Sequence, residues 1–219
     1  MIWSKRPGNK DNKSNNMKNN PIVRRIFKIL CKYRMQDESL GDFLARTMTG
    51  KYYPELLVVF KRFDTDTDAL FVSAGCMACY GFDQYGDRYL LGLYGENTII
   101  STRSFHAQEP SDFEWVALPG TYLYKVSTDA MTVIYKDFST TQELARIILA
   151  QATERELLRL IGLRRKAFEV VRDFYTEHPE WLQHGEPLLF EDIAGYLLMA
   201  PDTFRKARMK LIKSGLVHL

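Results

Sequence analysis

Between Lys51 and Ser127 the chain carries a succession of short apolar runs, LLVVFKRF, ALFVSAG, CMACYGF, RYLLGLYG, EWVALP and TYLYKVS, each bounded by turn residues. Runs of this length and composition read as strands, and so many at close spacing imply a barrel or jelly roll. The segment DQYGD at 83–87 places Gly86 where a hairpin turn needs a positive φ. From Thr140 onward the apolar residues recur at helical spacing instead. The predicted class is therefore α+β, with the junction between the β and α halves near residue 140.

A chain of 219 residues can hold one large or two modest domains. The first twenty residues are rich in Asn and Lys and nearly free of aliphatic side chains, which predicts a flexible tail over 1–20. Ile22, Ile26, Ile29 and Leu30 predict a helix after it, and Leu40, Phe43 and Leu44 a second short one. No apolar run approaches the roughly 20 residues of a membrane span, and the N-terminus lacks a signal-peptide stretch. A cytoplasmic, soluble protein without a membrane partner is expected.

The formal net charge of +3 does not by itself point to nucleic acid. Local clustering does. The run from Leu188 to Gly215, LLFEDIAGYLLMAPDTFRKARMKLIKSG, reads as two short helices joined by a tight turn. Ile193, Ala194 and Leu197 repeat at helical spacing, and the small Ala194 admits a close crossing. Pro201 suits the first position of the next helix, Asp202 its positive dipole end, and Gly215 its C-terminus. Phe204, Ala207, Leu211 and Ile212 form its core stripe. Thr203, Arg205, Lys206, Lys210 and Lys213 lie off that stripe, where a basic face suits phosphate-lined DNA.

The order of these parts resembles the catabolite activator/FNR family of bacterial transcription regulators, over nearly the whole chain from about Leu56. The matching pieces are ALFVSAG, a strand ending in a fixed glycine; FDQYGDRYLLGLYGE, a hairpin leading to the effector segment; and IAGYLLMAPDTFRKARMKL, the DNA reader. The segment EHPEWLQ followed by EDIAGYL looks like the divergent Bacteroidetes-type members. The resemblance implies a cyclic-nucleotide-binding-like β-roll sensor over 21–139, a linking and dimerisation helix over 140–163, and a helix-turn-helix domain over 164–219. It also implies double-stranded DNA and a second copy of the chain as partners, with Thr203, Arg205, Lys206 and Lys210 as DNA contacts.

In that family the roll binds a small effector, such as cyclic AMP, through a Gly-Glu pair and a later Arg-Ser pair. Gly95 and Glu96 fall at the first pair, although Glu96 suits an exposed turn better than a ribose contact. Ser111 and Asp112 stand at the second, where an acid repels a cyclic phosphate, and Arg103 is the nearby substitute cation. Cyclic AMP binding in the usual mode is not expected, and any effector is an unknown small molecule.

Cys76 and Cys79 form a C-x-x-C, with Cys31 a third thiol. A four-iron cluster normally needs four thiolates, and strand residues three apart face opposite ways, so packed thiols are expected. His106, His178, His184 and His218 show no metal spacing and are read as surface or capping residues. No catalytic residue, metal site or cofactor is expected.

The stretch TTQELARIILAQATERELLRLIGL, 140–163, begins with Thr140 as a cap and Glu143 as its capping-box partner. Leu144, Ile147, Ile148, Leu157, Leu158 and Ile161 supply an apolar stripe, which pairs two subunits in the family or packs within one chain. Gln151, Thr153, Glu154 and Arg155 interrupt it. Two departures mark the reader. Leu198 occupies the turn position usually given to glycine, at a cost of roughly 1 kcal/mol if the turn is left-handed. The chain given stops at Leu219, short of the expected wing. A protein-interaction module without DNA binding and a cupin-like β-roll enzyme are the rival functions.

Overall fold

The computed structural model describes residues 17–184 and 187–215, without the side chains at 180, 183 and 184. Asn20 caps α1 (Pro21–Tyr33) by accepting from the N–H groups of Ile22 and Val23, and Pro21 takes the first turn. Asp37 caps α2 (Glu38–Thr47) in the same way. The expected tail ends earlier than residue 20: Met17–Asn19 form a 3-10 turn whose Met17 side chain is buried against the open face of Gly41. Residues 1–16 lie outside the described part.

Eight antiparallel strands follow in two four-stranded sheets. The first, here sheet A, runs β1 (Thr49–Tyr53), β8 (Thr121–Ser127), β3 (Asp68–Ala74), β6 (Ile99–Ile100). Sheet B runs β2 (Leu57–Phe60), β7 (Glu114–Ala117), β4 (Met77–Phe82), β5 (Arg88–Tyr94). Every expected strand forms. The β1 and β6 strands have no counterpart in the sequence reading, and a short helix α3 (Arg103–Ala107) follows β6. The 83–87 turn closes as a hairpin, with Gly86 at φ 88°. Gly75, the fixed glycine after β3, sits at φ 75°, and a Cβ there would stand 2.7 Å from the Thr121 backbone.

Side chains alternate across each strand, so each sheet has an inner and an outer face. Leu70, Val72 and Leu123 of sheet A meet Met77, Cys79, Trp115 and Ala117 of sheet B inside the roll. The outer faces are apolar too, and both are covered by helices. Phe71, Tyr124 and Val126 pack against α1, α2 and α4 (Thr128–Asp137). Ala78, Tyr80, Leu90 and Val116 pack against the C-terminal helices.

Helix α4 moves the β-to-α junction to residue 128, because Ser127 ends β8 and caps α4 in the same step. The long helix α5 (Thr141–Gly162) follows. Its expected capping box does not form. Thr140 has helical dihedrals and donates its hydroxyl to Gln36, while Glu143 pairs with Arg34 of the α1 end. Thr141 instead ties the start of α5 to α4 through the carbonyls of Ile134 and Phe138.

The remaining helices are α6 (Ala167–Glu177), α7 (Pro179–His184), α8 (Phe190–Tyr196) and α9 (Pro201–Ser214). Val171, Tyr175, Ile193, Phe204 and Leu211 are buried to 0 % exposure and share one core with the outer face of sheet B. Burial of one such large side chain contributes about 1.5–3 kcal/mol, so the C-terminal helices and the roll are fused through this contact.

Candidate functional site

The turn between α8 and α9 keeps the left-handed form. Leu198 sits at φ 53°, its N–H donates to the Gly195 carbonyl, and Met199 N–H donates to the Ala194 carbonyl. The side chain pays for this with no burial, being 69 % exposed. Pro201 opens α9 and Gly215 ends it in the left-handed region at φ 64°. Phe204, Ala207 and Leu211 turn inward, Phe204 stacked on Tyr175 at 6.3 Å and against Phe190 at 4.6 Å.

That inward anchoring fixes what faces outward. Thr203, Lys206, Lys210 and Lys213 are exposed and repeat every three or four residues, one stripe along α9. Lys210 extends over the Phe168 ring, 4.8 Å from its centre. Arg205 is exposed on the flank, where it is held by Asp202 at 2.7 Å and lies over Phe190. Arg208 turns toward the core and donates to the Tyr175 hydroxyl at 3.0 Å. The basic face therefore divides into lysines on the stripe and arginines tied to the protein.

A second site lies between the roll and α5. A cavity of about 260 Å³ is lined by residues 101–104 and 109–113, by Tyr94 and Trp115, and by Ala152 and Arg155 of α5. Its wall is built by hydrogen bonds between distant loops. Thr102 caps α3 by accepting from Phe105 N–H and donates its hydroxyl to Asp66 at 2.5 Å. Ser104 Oγ accepts from Asp66 N–H and donates to the Glu109 carbonyl. Asp66 is fully buried, and burial pushes its carboxyl above the usual range. Ser111 is buried as well, accepting from Phe113 N–H through its hydroxyl. Trp115 Nε1 is buried at the cavity with no partner among the described residues.

Arg103 lies on the cavity rim, largely exposed, and pairs with Glu109 at 2.7 Å. Asp112 belongs to the same wall. Gly95 and Glu96 do not. They lie in the turn before β6, Glu96 exposed, and Gly95 instead borders a separate crevice against α5 and α8. A Cβ at Gly95 would meet nothing within 4 Å, so this turn does not require glycine. The residues that shape the cavity, Asp66, Thr102 and Ser104, went unassigned in the sequence. The only signal for them is the S-T-R-S run at 101–104, which offers Thr102 as a helix cap.

Cys76, immediately before β4, packs toward the C-terminal helices, and Cys79 of β4 points into the roll. Burial pushes the Cys79 thiol up to about 12. His106 accompanies Ser101 at 2.7 Å, and His178 caps α6 while stacking on Trp181. His218 and the region of the expected wing lie outside the described residues, as does the His184 side chain. Among the described residues no group of three His, Cys, Asp or Glu could hold a metal ion, and no helix is long and apolar enough to cross a membrane.

The buried residues of α5, Thr141 and Leu144, stand at its start, and further along Arg159 donates to the Tyr196 carbonyl at 3.2 Å and lies over the Tyr196 ring. The same stretch exposes Leu157 at 57 %, Leu158 at 61 % and Ile161 at 64 %.

A double-sheet roll, a long helix along it and a terminal helix-turn-helix make this the fold of the catabolite activator/FNR regulators, with a cyclic-nucleotide-binding-like domain first. It superposes on FixK2 from Bradyrhizobium japonicum with a TM-score of 0.59 at 17% identity, over 77% of this chain and 86% of that one. The c-di-GMP responsive global regulator CLP of Xanthomonas campestris gives 0.55 at 16% identity, over 84% and 95%. A cyclic nucleotide-binding domain from Methylobacillus flagellatus gives 0.54 at 17% identity, over 62% and 78%. No family profile and no curated protein sequence matches the chain.

Proposed function

We propose that this chain is a DNA-binding transcription regulator, not an enzyme, that works in the cytoplasm as a homodimer. In this reading 21–139 is the sensor, 140–163 the linking helix and 164–219 the reader. The observation that carries it is the exposed stripe of Thr203, Lys206 and Lys210 on α9, set outward by buried Phe204, Ala207 and Leu211. Arg205 contributes from the flank once it exchanges Asp202 for a phosphate. The exposed Leu157, Leu158 and Ile161 supply the seam for a second copy. A two-fold pair of α9 helices then meets successive major grooves about 34 Å apart.

The effector cavity does not suit a cyclic phosphate. Arg103 is already neutralised by Glu109, and Asp112 adds a second acid to the wall. A ligand there would have to tolerate those carboxylates.

The test is duplex binding by the purified chain against a pool of genomic fragments at low and moderate salt. Lys206→Ala is expected to weaken binding by about 1–3 kcal/mol if the contact is to a base edge, or to lower the salt slope by roughly one ion if it is to phosphate. Absence of any salt-sensitive shift would overturn the DNA-reading assignment in favour of a protein-interaction module.

A further inference from the structure

A second cavity lies on the other side of the roll. It separates the outer face of sheet A from α1, α2, α4 and α5, is half open, and measures about 110 Å³. Its wall is nearly all hydrocarbon, from residues such as Leu30, Leu44, Phe71, Ile134 and Leu144. The polar side chains are those of Ser101, His106, Tyr135 and Thr141. The Thr141 hydroxyl is spent on backbone carbonyls, whereas Ser101 and His106 form a hydrogen-bonded pair of 2.7 Å that reaches the exterior. Water gains little against such a wall, which offers few of the two to four polar partners that an ordered water needs. An apolar cavity of ~150 Å³ lined by Leu, Ile and Phe stays dry and takes up benzene, so this one is of the size for a single ring or a short alkyl chain.

We propose that this cavity is a binding site for a small apolar molecule, one aromatic ring or a short alkyl chain with a single hydrogen-bonding group, whose polar end meets Ser101 and His106. The site is distinct from the polar cavity and carries none of its carboxylates. The two share Ile99, Ser101, Ile148 and Leu149 as a common wall, so a molecule in the apolar cavity rests on the same turns of α5 that close the polar one. The proposal does not depend on DNA binding.

The experiment is a titration of the full chain with phenol and, separately, with toluene, read by methyl chemical shifts and by the thermal unfolding midpoint. Both probes are expected to saturate, to shift the methyl signals of Leu30, Leu44 and Leu144, and to raise the midpoint. Filling the space by Ala69→Leu or by Ala145→Leu is expected to weaken both probes by more than about tenfold. His106→Ala is expected to weaken phenol by about two- to tenfold and leave toluene unchanged. Linear, non-saturating shifts in the unsubstituted protein overturn the site, as does binding that survives both filling variants. A toluene response with no phenol loss in His106→Ala overturns the assignment of the polar end.

Discussion

Both sheets bury their outer faces beneath helices, yet the two covers fit differently. Over sheet B, Ala78 and Val116 are at 0 % exposure beneath a cover in which Phe204 and Ile193 are at 0 % as well. The cover is built from consecutive helices that lock together through rings, Phe174 on Trp181 and Phe204 on Tyr175 and Phe190. Over sheet A the cover is assembled from the start of the chain and from α4 and α5, and it leaves a 110 Å³ space. The sheet B side has a space as well, a crevice of about 400 Å³ between β5, α5, α6 and α8, but charged residues such as Arg159, Arg165 and Asp173 line it, whereas the space over sheet A is walled by hydrocarbon. The C-terminal helices are held to the roll by a shared core as well as by α5.

The contrast can be broken by substitution. Phe204→Ala removes a ring from the tight side and should cost about 3–5 kcal/mol in urea unfolding, with loss of duplex binding in parallel. A smaller cost would mean that the sheet B cover is looser than it looks. Adding volume discriminates the two sides directly. Ala78→Leu on the tight face should destabilise by about 1–3 kcal/mol, whereas Ala69→Leu on the loose face should be neutral or gain up to ~1 kcal/mol. Equal penalties would erase the distinction.

The smallest effect concerns the polar tie across the tight side, where the Tyr80 hydroxyl donates to Asp192 at 3.4 Å. Burial pushes the Asp192 carboxyl above its usual range, with Arg88 and the Tyr80 bond opposing, and lifts the Tyr80 hydroxyl to about 12. Because the folded chain favours protonated Asp192, this group stabilises most at acid pH. Its contribution falls as pH rises from the ordinary carboxylate range, near ~4, through the raised value. Asp192→Asn keeps an acceptor for Tyr80 and should flatten that part of the stability profile, changing neutral-pH stability by no more than about 1 kcal/mol. A slope unchanged by the substitution would place the titration elsewhere.

The strands and helix α9 were legible in the sequence, the strands as short apolar runs bounded by turn residues and α9 by the 204, 207, 211 spacing of its buried side, so that its exposed side follows by subtraction. Leu198 was legible too, since a left-handed turn is a local property that its backbone adopts. Helix α4 was not, because its TDAMTVIYKD run holds Thr132, Val133 and Ile134 in succession and begins without a linker after β8. The polar cavity was the least legible. Asp66 reaches Thr102 across 36 residues of sequence, and no local pattern announces such a bond. The Gly-Glu dipeptide at 95–96 draws attention by resemblance, whereas the wall forms six residues later.

The placement of Cys76 beneath the C-terminal helices and of Cys79 inside the roll has a kinetic consequence. Each thiol is expected to report a different opening, Cys76 the lifting of those helices from sheet B and Cys79 the parting of the roll. With partly accessible Cys31 as the internal reference, alkylation by a small reagent followed by mass spectrometry would time the two events separately. The two thiols thus serve as a pair of clocks, one for the C-terminal helices and one for the roll, and no disulfide stops either.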